Sequence, residues 1–216
     1  MKRLILIVIV LLVLPGTLVA QDITRLRKIG PVASFTRMDN RLLLNCRDNS
    51  QVQLSVLAPD LIRVRVSFAK AIPTKDHSWA IAKESWQDVS WAAAETANDI
   101  TLSTSELKVV IHRSPLLIDF RDARSGQLLN SDEQPMAYDA DATLNAGMFI
   151  AASKKLGYDE HFYGLGEKAA KLDKRRDRFV NWNSDTPGYV EGRDPIYQTI
   201  PFYIGLQRGV AYGIFF

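Results

Sequence analysis

A chain of 216 residues with 47% hydrophobic and 24% charged side chains has the composition of an ordinary globular protein, and 12 Gly and 9 Pro exclude a collagen-like repeat. Its 27 basic and 24 acidic residues leave a formal charge of +3, too balanced to imply a nucleic-acid partner. The single cysteine, Cys46, excludes an intramolecular disulfide and denies a structural zinc site the partners it needs.

The first twenty residues read as an export leader. Lys2 and Arg3 precede an unbroken apolar run of eleven residues, Leu4 to Leu14; Pro15-Gly16 breaks it, and Leu18-Val19-Ala20 offers a cleavage site before Gln21. A bilayer span takes about 20 apolar residues, so the run is read as a cleaved signal peptide rather than a stable membrane anchor. Gln21 stands where a lipoprotein signal needs a cysteine. Removing Lys2 and Arg3 takes the charge from +3 to +1, so the expectation is a secreted or periplasmic domain of near-neutral charge, residues 21–216.

The rest of the chain predicts strands. Gln51 to Leu57 alternates polar and apolar residues, Pro59-Asp60 supplies a turn, and Leu61 to Phe68 alternates again, with Ile62, Val64 and Val66 on one face and Arg63 and Arg65 on the other. Trp91 to Ala97 is alanine-rich and is read as a loop or short helix ended by Asn98-Asp99. Ile100 to Ser103, Leu107 to His112 and Leu116 to Arg121 are three further runs, and Ser125-Gly126 turns the chain before Leu128-Leu129, which together predict a meander. Phe162-Tyr163-Gly164-Leu165-Gly166-Glu167 sets two glycines among bulky residues, the mark of a bulge or of a close backbone approach. After a polar stretch, Thr199 to Leu206 and Ala211 to Phe216 form a last apolar pair joined at Gln207-Arg208-Gly209. No linker rich in Pro, Gly or Ser divides the chain, so one all-β domain follows the leader.

Five segments occur here in an order that resembles the N-terminal domain of glycoside hydrolase family 31, the α-glucosidase and α-xylosidase family. They are Tyr163-Gly164-Leu165-Gly166-Glu167, Trp182-Asn183-Ser184-Asp185, Asp194-Pro195-Ile196-Tyr197, Ile200 to Gly205 and Ala211 to Phe216. The sequence departs from that pattern at Arg175-Arg176-Asp177, where members often have a glycine. The resemblance implies an antiparallel β-sandwich of galactose-mutarotase-like type that packs on a (β/α)8 barrel. Retaining hydrolysis needs two carboxyl groups about 5 Å apart, and in this family both are barrel aspartates, so no catalytic residue is assigned here. The chain stops within an apolar strand, and the expectation is a piece of a longer protein.

Asp185 is the candidate substrate-binding residue. By resemblance it sits on the loop that reaches the barrel mouth, where a carboxylate accepts paired hydrogen bonds from sugar hydroxyls; an Asx turn ahead of Thr186-Pro187-Gly188 is the competing reading. Trp182 is read as a packing residue, Glu167 as an anchor of the local turn, and the cations Lys168, Lys171, Lys174, Arg175, Arg176 and Arg178 as a solvated loop. His77, His112 and His161 lack metal-ligand spacing, so no metal or cofactor is implied. The expected partner is an oligosaccharide or α-glycoside. A free-standing carbohydrate-binding module is the alternative, and an aldose epimerase has no His/Glu constellation to support it.

Overall fold

The computed structural model describes residues 26–68, 70–74, 78, 81–83, 85–139 and 149–216. The leader and His77 lie outside these residues. Among the described residues there are fourteen strands: β1 (Arg27–Lys28), β2 (Val32–Met38), β3 (Arg41–Cys46), β4 (Gln51–Ala58), β5 (Leu61–Ser67), β6 (Ala92–Glu95), β7 (Asp99–Ser103), β8 (Leu107–Arg113), β9 (Leu116–Asp122), β10 (Leu128–Tyr138), β11 (Ile150–Lys154), β12 (Glu160–Gly166), β13 (Thr199–Gln207) and β14 (Val210–Phe215). They form a four-stranded sheet β2-β3-β4-β5, a seven-stranded sheet in the order β1-β10-β9-β8-β7-β6 with β11 also on β10, and a three-stranded sheet β12-β13-β14. Every pairing is antiparallel.

The first two sheets close on each other as a sandwich. Period-two alternation puts Leu42 and Leu44 of β3 and Val52, Leu54 and Val56 of β4 on one inner face, and Ile100, Leu102, Val109, Ile111, Leu116 and Ile118 on the other. All of these are at most 2% exposed. The β4/β5 hairpin has the register its alternation predicts, with Val52 opposite Val66, Leu54 opposite Val64 and Val56 opposite Ile62. Gln53 and Ser55, on the polar face of β4, are nevertheless buried, and the Gln53 side chain donates to Ser55 Oγ at 3.0 Å. The crossing segment 70–74 lies over this side of the hairpin: Ile72 N–H donates to Gln51 Oε1 at 3.0 Å.

One expected element changes type. Trp91 to Ala97 is not a helix: Ala92–Glu95 is the edge strand β6, paired residue by residue with Ser103 to Ile100 of β7. Ladder bonds to β7 and burial of Trp91 at 7% exposure outweigh the helix preference of three alanines. The Trp91 indole donates to Asp39 O at 2.9 Å, which ties β6 to the opposite sheet. β2, β3 and β11 lie in stretches for which the sequence reading proposes no strand.

The third sheet joins the sandwich through a polar seam. Glu160, 2% exposed, accepts from Gly157 N–H and from Tyr212 Oη, both at 2.7 Å, and Asn130 of β10 donates to the same Tyr212 oxygen at 3.2 Å. Burial and the neighbouring carboxylate push the Tyr203 phenol up to about 12, and Tyr212 is raised as well. Both phenols therefore stay protonated, and that of Tyr212 is the donor to Glu160.

Candidate functional site

The site is built on the connection between β12 and β13, residues 167–198, which has no regular structure of its own. Connections of that length in a compact domain commonly serve binding. Its start is set by the glycines of β12. A Cβ on Gly164 would lie 2.7 Å from Phe202 O, and one on Gly166 would lie 2.6 Å from Ile200 N, so only glycine lets β13 approach this closely. Gly164, Leu165 and Gly166 all have positive φ, and the pairing slips between Gly164 and Gly166, which is the bulge expected from the sequence.

From that bulge the chain reaches Lys168, and here the sequence reading is corrected. Lys168 is not a solvated cation: its side chain is 1% exposed, and Nζ donates to Val180 O at 2.8 Å, Asp194 Oδ1 at 3.0 Å and Thr199 Oγ1 at 3.1 Å. The other oxygen of Asp194 accepts from Val180 N–H. One ammonium thereby joins the two arms of the loop to the start of β13. Arg175 is likewise occupied, donating to the carbonyls of Gly157 and Glu160. In the segment that departs from the family pattern, its guanidinium holds the entry to β12. Lys171, Arg176 and Arg178 are exposed, as expected, on an open cleft of about 390 Å³ that also presents Asp177 and Glu191.

Asp185 is exposed, and among the described residues its carboxylate accepts no hydrogen bond, so it does not close an Asx turn. Its neighbours are fixed on both sides. Asn183 Oδ1 accepts from Thr199 N–H at 2.8 Å, Ser184 N–H donates to Ile196 O at 3.3 Å, and Tyr197 Oη donates to Thr186 O at 2.9 Å. Ile196, 1% exposed, roots these bonds in the interior. The result is an uncommitted carboxylate on an anchored backbone.

The same loop carries the aromatic side chains of Trp182, Tyr189 and Tyr197. Tyr189 and Tyr197 meet edge to face, with centroids 5.8 Å apart and planes at 68°. Tyr189 Oη donates to Glu167 Oε1 at 3.4 Å, so the Glu167 carboxylate serves this aromatic pair, while its own N–H donates to Gln198 O at 2.7 Å. The Tyr197 phenol is raised above its ordinary value by desolvation first, and then by the charges of Asp185, Tyr189 and Glu167. Trp182, expected to pack, is 68% exposed. Sequence reasoning passed over Tyr189, and it named Tyr197 only as the end of the Asp194-Pro195-Ile196-Tyr197 segment, with no role of its own.

The remaining candidates have local partners. His161 Nδ1 lies 2.7 Å from Asp173 Oδ2, and His112 Nδ1 lies 2.7 Å from Asp99 Oδ1. Cys46 is buried, and desolvation followed by the Asp48 charge pushes its thiol up to about 11. Among the described residues no group of three or more His, Cys, Asp or Glu side chains is placed to hold a metal ion.

A two-sheet sandwich with a third sheet beside it, from which a long anchored loop extends, defines a β-sandwich domain of the galactose-mutarotase-like class. The pattern for the glycosyl hydrolase 31 N-terminal galactose mutarotase-like domain matches residues 51–216, and the chain belongs to that family. It is 28% identical over 191 residues to alpha-glucosidase 2 of Bacillus thermoamyloliquefaciens, covering 87% of this chain and 23% of that protein. It is 31% identical over 120 residues to the alpha-xylosidase XylQ of Lactiplantibacillus pentosus, covering 53% of this chain and 14% of that one. The GH31 dextranase of Flavobacterium johnsoniae, solved with isomaltotriose, superposes with a TM-score of 0.72 at 26% identity, over 83% of this chain and 21% of the dextranase. The chain thus spans less than a quarter of the length of each of these proteins.

Proposed function

We propose that this chain acts as the N-terminal part of a longer, secreted or periplasmic glycosidase that hydrolyses α-linked glucosides or xylosides. The observation that carries the reading is Asp185, a carboxylate with no internal partner on a backbone held at Asn183, Ser184 and Thr186. Such a group accepts two hydrogen bonds from adjacent sugar hydroxyls without reorganising. The paired carboxyl groups for hydrolysis belong, in this reading, to a (β/α)8 barrel outside the 216 residues, and Asp185 orients the sugar rather than reacting with it.

The outer face of the third sheet supports the same reading. Ile200, Phe202, Ile204 and Leu206 of β13 are each between 36% and 46% exposed, and Phe202 stands opposite Phe215 of β14. This stripe is mostly aliphatic, which suits packing against protein better than stacking on sugar rings. The names of the relatives, an alpha-glucosidase, an alpha-xylosidase and a dextranase, support α-linked substrates.

The test is Asp185→Ala in a protein that carries both this domain and its barrel. Losing a charged acceptor costs about 1.5 to 3 kcal/mol in kcat/KM, with thermal unfolding unchanged. A kcat/KM within twofold of wild type removes the contact, and a clear turnover of α-glucosides by the 216-residue chain alone removes the assignment of chemistry to a barrel.

A further inference from the structure

Three hydrogen bonds anchor the backbone around Asp185, two through side chains and one between backbone groups, and they are not equivalent. Asn183 and Ser184 lie before the carboxylate and bond to β13 or the residue leading into it: Asn183 Oδ1 to Thr199 N–H and Ser184 N–H to Ile196 O. After it the first tie is the Tyr197 hydroxyl on Thr186 O at 2.9 Å, and the next ones come only at Tyr189, on Glu167 Oε1 at 3.4 Å, and at Gly192 N–H, on Ala169 O at 2.6 Å. Pro187 follows with no N–H to donate, and then Gly188 at φ +68°, whose missing side chain would meet no atom within 4 Å. At Pro187-Gly188 the loop therefore faces open space. The phenol is the nearest point that fixes its course after the carboxylate.

The phenol is itself well placed for that task. Its ring is set by the edge-to-face contact with Tyr189, and Ile196, the preceding residue, is 1% exposed, so the backbone under Tyr197 belongs to the interior. The carbonyl that the hydroxyl holds belongs to Thr186, the residue directly after Asp185, which puts the carboxylate next to the anchored point. Desolvation first, and then the charges of Asp185, Tyr189 and Glu167, disfavour the phenolate, so the hydroxyl remains a donor to Thr186 O.

Resting on the reading of Asp185 as a sugar contact, we infer that Tyr197 is the positioning residue for that carboxylate: its hydroxyl, bonded to Thr186 O, holds the far side of the loop so that Asp185 meets substrate already in place. The side chain acts through Asp185 and need not touch the sugar. Its removal should weaken binding of the orientation that reacts and leave the rest of the domain intact.

Tyr197→Phe deletes the hydroxyl and keeps the ring. The experiment is a double-mutant cycle with Asp185→Asn in the protein that carries domain and barrel, reading kcat and KM separately with thermal unfolding alongside. On the wild-type background, loss of one neutral hydrogen bond should lower kcat/KM about threefold to tenfold. On the Asp185→Asn background the same change should have less than about a 1.5-fold effect, because a residue acting through a partner has nothing to act on once the partner is gone. Amide exchange at Ser184 should rise in Tyr197→Phe while the melting temperature holds. An equal loss on both backgrounds, or a fall in melting temperature that tracks the activity loss, overturns the inference and makes Tyr197 a structural residue. A full effect of Asp185→Asn with none from Tyr197→Phe also overturns it, and leaves Asp185 as the sugar contact. If Asp185→Asn itself has no effect, both fall together, a result distinct from the others.

Discussion

In the sandwich, Leu42, Leu44, Val52, Leu54, Ile100, Leu102, Val109 and Ile111 are fully buried, whereas in β13 Ile200, Phe202, Ile204 and Leu206 alternate just as regularly and remain at least 36% exposed. The same period-two pattern yields a core in one region and a surface in the other because only one has a facing sheet. What attaches the third sheet is mostly polar: the Glu160–Tyr212–Asn130 chain, and Gln207 donating to Leu129 O at 3.2 Å. Its loop is organised by a buried ion pair rather than by apolar contacts. The difference teaches that alternation identifies a strand and its faces but not which face is covered. Apolar packing holds the two sheets of the sandwich together, and directional polar bonds hold the region that presents Asp185.

The largest effect expected from breaking this contrast is Leu54→Ala against Ile204→Ala in the same chain. Leu54 is 0% exposed within the core, so truncation should cost about 2 to 5 kcal/mol. Ile204, 41% exposed on the stripe, should change stability by no more than about 0.5 kcal/mol. Urea unfolding of the two variants decides it. Equal costs mean that β13 is covered by something within the chain and that the stripe is not a surface.

Next in size is Lys168→Met, which asks whether the loop depends on its buried charge. The substitution keeps an unbranched side chain one atom shorter and removes the ammonium donor from Asp194 Oδ1, Val180 O and Thr199 Oγ1. Breaking a buried pair from one side costs several kcal/mol; about 3 kcal/mol is expected here because Asp194 is 13% exposed and keeps some water. The loss should appear in amide exchange across residues 167–198 before it appears in the sandwich. A uniform loss in both regions breaks the distinction between them.

The sandwich was largely legible in the sequence, and the loop was not. β4 and β5 could be read because each alternates cleanly, and β7, β8 and β9 because short runs rich in apolar residues stand between turn residues; burying one face then fixes register to within a single residue. β6 could not: alanines carry a helix preference, and pairing with β7 is a long-range fact that no local window contains. In the loop, Lys168 among six cations within eleven residues looks like surface, since burial of an ammonium depends on where Asp194 falls, 26 residues away. Asp185 was found only through resemblance. What its sequence could not show is the anchoring, because the partners of Asn183, Ser184 and Thr186 lie at residues 196–199, at and just before the start of β13, which pairs with β12.

The smallest expected effect is a pH dependence at the border between the two regions. His161, on β12, has its Nδ1 2.7 Å from Asp173 and its Nε2 3.4 Å from Asp159, and Asp173 also accepts from the backbone N–H groups of Phe162 and Arg175. The hydrogen bond to Asp173 raises the histidine above its ordinary value, and the bond from His161, ahead of those from the backbone, holds Asp173 down at about 2. A raised histidine contributes stability that is complete below about pH 6.5 and fades as pH rises through its folded value; a depressed aspartate contributes stability that is complete above about pH 4 and fades as pH falls toward 2. The pair is therefore at full strength between about pH 4 and 6.5, and wild-type chain should unfold at higher urea at pH 5.5 than its His161→Asn variant does, with the gap narrowing at pH 8.5. Both side chains are more than a third exposed, so the gap should also shrink in high salt. His112, with its own carboxylate partners in the sandwich, is present in both proteins and cancels in the comparison. A gap that stays constant from pH 5.5 to 8.5 means that the imidazole holds Asp173 as a neutral donor, and the charge on His161 then contributes nothing to the loop's attachment.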